Sequence, residues 1–114
     1  MPEEPSKQLY IAVLLYESTS ESGDKTPLYE ESCVLLQAPN EEEARARAVE
    51  HARRQDVPYE SAEGKTIHWS LKHVVDVSPV LDDELKDGAE LYARHFRDYA
   101  AYHAFEPLLG GSVD

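Results

Sequence analysis

Five histidines, one cysteine and several acidic clusters are the groups with which this chain could do chemistry. The histidines are His51, His68, His73, His95 and His103. No pair has the i, i+4 helical or i, i+2 strand spacing that converges on a zinc ion. Their simplest reading is as core or surface histidines with satisfied partners. Cys33 stands alone, so an intramolecular disulfide and a cysteine-based zinc site are excluded within one chain. It alternates within an apolar stretch and reads as a small buried hydrophobe. A reactive thiol needs a cationic neighbour to lower its pKa, and none is adjacent in sequence. Asp82-Asp83-Glu84 lacks the Asp-x-Asp-x-Asp-Gly spacing of a calcium loop. Gly110-Gly111 opens no helix, so it is no phosphate loop, and there is no Gly-x-Ser-x-Gly elbow.

The elements that must position these groups are easier to read. The 114 residues fit one domain, expected over residues 9–106, between a disordered tail (1–8) and a flexible tail (107–114). Hydrophobic residues make up 41% of the chain, too many for a disordered one. Leu9–Thr19 is apolar at both parities and reads as a strand covered on both faces or lying central. The polar stretch 20–27 turns the chain into a second strand, Leu28–Ala38. Thr66–Val77 alternates almost without a break, with Ile67, Trp69, Leu71, Val75 and Val77 on one parity. It reads as a half-buried strand, preceded by a connector at 58–65 with a turn at Glu63-Gly64. His68 falls on the wet parity. His73 shares the parity of Trp69 but is placed at an edge or bulge.

Asn40 with Glu43 three residues later forms a capping box, so a helix is expected from about residue 41 to 55. Three glutamates at its start and two arginines at its end suit its dipole, and Glu41–Arg45, Glu43–Arg47 and Glu50–Arg54 are (i, i+4) pairs. Its inner stripe is Ala44, Ala48 and Ala52. Val57-Pro58 closes it. Residues 81–88 read as a short helical turn capped by Gly88. Residues 89–105 fit either a strand followed by a helix or one long helix. A strand to about Arg97, then a helix from Asp98 to Phe105, is expected. The fold class is therefore α+β. We expect an antiparallel sheet of about four strands, one main helix packed on a face, and a short C-terminal helix.

The order of Tyr10–Tyr16, Glu30-Glu31-Ser32, Asn40–Ala44, the Tyr-x-Ser-Ala-x-Gly-x-x-Ile-x-Trp run of 59–69 and Leu81–Tyr92 resembles the bacterial family called domain of unknown function 4288. The resemblance covers roughly residues 9–97, with Ser61 where asparagine is expected. It implies a small bacterial cytosolic protein and carries over no catalytic residue and no cofactor. It favours a strand at Glu90–Arg94, and it marks Glu60, Glu63, Trp69, Asp82, Glu84, Gly88, Glu90 and Tyr92 as positions of the pattern.

Net charge is −12, with 23 acidic and 11 basic residues. Such a chain is a poor ligand for nucleic acid or anionic lipid, and its field attracts basic partners. No apolar run approaches the length of a membrane span and no secretory signal is visible, so the cytoplasm is the expected location. The concentration of Tyr92, Phe96, Tyr99, Tyr102 and Phe105 is either core or an exposed interface patch. The favoured reading is a small acidic, non-enzymatic protein-binding module, acting on a basic partner it neutralises or regulates, or associating with itself as a homodimer. Glu60, Glu63, His68, Trp69, Glu90 and Tyr92 are its candidate binding residues. The alternative is a metal- or small-molecule-binding protein or enzyme built on Glu60, Glu63, His68, His73 and Glu90. A nucleic-acid mimic is the third reading, and the arginines interleaved along the helix argue against it.

Overall fold

A computed structural model describes residues 8–20, 27–55, 59–60, 64, 66–82 and 84–106. The elements are β1 (Gln8–Ser20), β2 (Tyr29–Ala38), α1 (Glu41–Arg54), β3 (Tyr59–Glu60), β4 (Thr66–Pro79) and α2 (Tyr99–Phe105). The fold is α+β: an antiparallel sheet with three long strands, and two helices. Strand order is β2-β1-β4-β3, with β3 a two-residue strand against the start of β4. The connector expected at 58–65 therefore contains a short strand. Gly64 adopts φ 79°, a positive value open to glycine. Both expected tails (1–8, 107–114) lie outside the described residues, except Gln8, which begins β1.

β1 is the central strand, and its two apolar parities follow from that. Tyr10, Ala12, Leu14 and Tyr16 join a buried cluster with Ala44, Ala48 and Ala52 of α1. Ile11 and Val13 are buried on the opposite face. The alanines let the helix axis lie close to the sheet, at the cost of little buried area; Leu14 is the largest side chain buried completely. Asn40 caps α1 as its residue type demands, its Oδ1 accepting from Glu43 N–H at 2.8 Å. Glu50 and Arg54 close their pair at 2.6 Å.

β4 departs from strict alternation. Against β1, Asp76 pairs with Val13 and Val74 with Leu14, then His73 with Leu15 and Leu71 with Tyr16. Val75 and Lys72 are thus the extra residues of two bulges. The first bulge corrects the simple parity reading: Val74, not Val75, packs on the cluster, and Val75 is exposed. His73 falls between the bulges and is turned to the face opposite α1, paired with Leu15.

Three expectations fail between residues 30 and 97. The strand at 89–97 is absent: residues 89–96 form an irregular arm. It is held by side-chain and loop bonds instead of a ladder. Among the described residues of 81–88 there is no helical turn. Asp82 N–H donates to the Glu90 carbonyl at 3.1 Å, Glu90 N–H donates to Asp82 Oδ2 at 2.7 Å, and a turn closes from Lys86 O to Ala89 N at 2.8 Å. Gly88, φ 86°, occupies the third position of that turn, where type II geometry requires positive φ. Cys33 is exposed, because its parity on β2 faces away from α1.

Candidate binding groove on the open sheet face

The face of the sheet opposite α1 carries the odd-numbered residues of β1 and β2. Val13 stands at its centre, flanked by Cys33 of β2 and Asp76 of β4 in one row. The arm crosses above this row. Tyr92 anchors it, donating its phenol O–H to Asp76 Oδ2 at 2.5 Å. Burial against the sheet, that hydrogen bond and the carboxylate's charge push the Tyr92 phenol up to about 12.

Beyond Tyr92 the arm turns into α2. Asp98 caps the helix, its Oδ1 accepting from Ala101 N–H at 3.0 Å. Phe96 folds back to stack on Tyr102, with ring centroids 4.8 Å apart and planes 14° apart. Tyr99 and His103 meet at 5.9 Å, tilted. A helix of seven residues is marginal alone, and this one buries none of its residues. Phe105 is 74% exposed and Tyr99 64%. Between sheet and arm runs a groove of about 600 Å³. Its floor is Val13, Cys33 and Tyr92, and its aromatic wall is Phe96, Tyr102 and Phe105. Glu31, Asp98 and Glu106 bring carboxylates to it, Arg94 brings a guanidinium and His95 an imidazole.

Further along the same face, Glu17 sits opposite Tyr29. It lies 3.6 Å from Lys72 Nζ. A hydrogen bond to Glu17, with smaller contributions from burial and that charge, raises the Tyr29 phenol. A second, smaller cleft of about 260 Å³ opens on the α1 side, between Tyr16, Glu30 and Ser32 of the sheet, Trp69, and His51 and Gln55 at the helix end. Burial first, and then the Glu30 charge, raises the Tyr16 phenol there.

The residues singled out from the sequence are spread over this frame. Trp69 packs on the α1 side, whereas Tyr92 lies over the opposite face. Glu90 sits at the neck of the 82–90 loop. His68 pairs with Thr19 and His73 with Leu15, so both are exposed on the face opposite α1. Glu60 pairs through its backbone with Thr66, and Glu63 lies outside the described residues. Of the candidates, Tyr92 alone lines the larger groove. Among the described residues, no group of three or more His, Cys, Asp or Glu could hold a metal ion. Glu31 and Cys33 were not singled out for the groove. The signal was present in β2, where Glu31 and Gln37 share the parity of Cys33 and Leu35 and mark that side as wet.

The family model for Domain of unknown function (DUF4288) matches residues 9–93. The chain belongs to this family. No curated protein and no solved structure gives a match. In this DUF4288 protein the match includes the floor of the groove and stops just after the Tyr92 anchor. No helix among the described residues is long and apolar enough to cross a membrane.

Proposed function

We propose that this DUF4288 protein is a non-enzymatic binding module whose partner lays a basic segment in the groove between sheet and arm. The observation that carries the reading is an exposed aromatic wall on a chain of net charge −12. Aromatic faces attract Lys and Arg side chains, and the carboxylates of Glu31 and Asp98 add charge at the floor and wall. Phe105 and Phe96 leave more than half their surface in water, which an interface would cover.

The test is a titration with a labelled dodecapeptide of alternating arginine and valine, read by fluorescence anisotropy, with its glutamate–valine counterpart as control. Binding of the basic peptide alone is expected, weakening as salt rises from 25 to 300 mM, roughly ten-fold or more. The variant F96A/F105A should lose at least about ten-fold in affinity, because truncating central aromatic contacts removes more than about 1.4 kcal/mol. Equal binding by that variant would move the site away from the groove. No binding at 25 mM salt would end the reading.

A further inference from the structure

Among the described residues β2 is an edge strand, and its outer edge is open to pairing. Ser18 N–H donates to the Leu28 carbonyl at 2.9 Å, which sets the phase of the β1–β2 ladder. The register runs without a shift from Glu17↔Tyr29 to Gln8↔Ala38. Even-numbered residues of β2 therefore spend their main-chain groups on β1. Tyr29, Glu31, Cys33, Leu35 and Gln37 point theirs outward, and all five are exposed. Natural edges are blunted by charged side chains, lysine above all, or by proline, bulges or shortness, and the only charges of β2 are Glu30 and Glu31 at one end. β2 has ten residues with no lysine, no proline and no bulge. The opposite edge is β3, two residues long against the start of β4, and beyond it β4 itself, which carries Lys72, Pro79 and two bulges.

We infer that this edge pairs with β2 of a second copy, antiparallel, about a twofold axis at Cys33. This goes beyond the groove reading and does not depend on it. Geometry narrows the register. Directly opposed residues lie on one face, and a twofold perpendicular to the sheet keeps both α1 helices together. Partner numbers must then sum to an even value. A centre at Cys33 sets Tyr29 against Gln37, Glu31 against Leu35 and Cys33 against its own copy. That uses all five outward residues and makes about ten main-chain hydrogen bonds. A centre at Val34 would set Tyr29 against Pro39, which has no N–H, and leaves about eight.

The placement of charge along β2 leaves room for a copy of this same strand. The charges of β2 are Glu30 and Glu31, both at one end. Reversing the second strand sets each acidic end beside the uncharged Leu35-Leu36-Gln37 end. The two Glu31 residues are then four rungs apart, about 13 Å, beyond the Debye length of about 10 Å at 0.1 M salt. Leu35, 45% exposed, gains the Glu31 stem of the other strand as cover. The remaining charge of each chain repels the other at long range, so added salt strengthens this pairing while it weakens capture of a basic peptide.

The experiment is sedimentation of the full chain at 0.05 and 0.3 M salt, with a charge swap at Leu35. L35E sets a carboxylate against Glu31 of the other strand, twice per dimer, and is expected to raise the dimer dissociation constant at least ten-fold. L35K sets an ammonium there and is expected to bind as tightly as the wild type or tighter. Both change one exposed side chain, so circular dichroism should show the same fold. A short bis-maleimide should yield a dimer band through Cys33, the chain's only cysteine. Opposed residues of a hydrogen-bonded pair sit about 5.5 Å apart at Cα. A wild-type monomer at 0.5 mM protein in both salts overturns the inference. So does an equal response to L35E and L35K, or a dimer that Cys33 does not cross-link. None of these outcomes touches the peptide titration, which a monomer can still pass.

Discussion

Tyr92 shows what one hydroxyl does in this molecule. Its bond to Asp76 ties an arm with no ladder of its own to the middle of a sheet. Hydrogen bonds to a charged group are worth about 1.5–3 kcal/mol, so Y92F should lower stability by that order in a denaturant titration. The phenol also links stability to pH. Its ordinary value is 10.0, and the folded protein raises it to about 12. Below pH 10 both states hold the proton and its contribution is complete. As pH climbs from 10 towards 12 the unfolded chain ionises first, and the contribution is lost. Wild-type stability should therefore fall across that window, and Y92F should fall less. Equal slopes for the two proteins would show that the phenol is not coupled to folding. The tyrosine was singled out from its place in a sequence pattern, but its partner was not: Asp76 lies 16 residues away and declares itself only when the sheet is assembled.

At the scale of elements, the legible parts are those whose signals are local. Asn40, Glu43 and the alanine stripe announce α1, and the helix runs from Glu41 to Arg54. The helix expected from Asp98 to Phe105 is α2, which runs from Tyr99 to Phe105. β1 and β2 follow from apolar runs bounded by polar ones. What misleads is periodicity read too rigidly. Val75 shares the parity of Trp69 and looks like core, yet two bulges rotate β4 locally and put Val74 there. The difference is measurable. V74D would place a carboxylate against the helix-side cluster and should cost about 2 kcal/mol or more. V75D changes an exposed residue and should stay within about 0.5 kcal/mol. The reverse order would mean that the bulges are misplaced. The arm misleads for another reason. Leu91, Ala93 and His95 alternate with Tyr92, Arg94 and Phe96 as in a strand, but alternation records only that side chains point two ways. An extended segment lying across a face, without a neighbour to pair with, carries the same mark.

At the scale of the molecule, the sheet has one face closed by α1 and one only partly covered. Composition foretold a shortage of cover, since an alanine-faced helix buries little, but not which residues would stay wet. The aromatics of the arm could equally have been core. Their exposure depends on where the arm crosses, a long-range fact that no short window contains. Charge, by contrast, is legible from composition alone. A chain of −12 repels itself in the folded state more than in the expanded one. Its melting temperature should rise as sodium chloride goes from 10 to 150 mM, and a flat or falling response in a calorimeter would deny that repulsion limits stability. The groove itself straddles the end of the family match. Its floor, with Val13, Cys33 and Tyr92, lies within the residues that match the family, while Phe96, Tyr102 and Phe105 lie past the end of the match. The socket is thus made of residues inside the match and the jaw that closes on it of residues outside it, so cutting the chain after Ala93 would take away the jaw and leave the socket's residues in place.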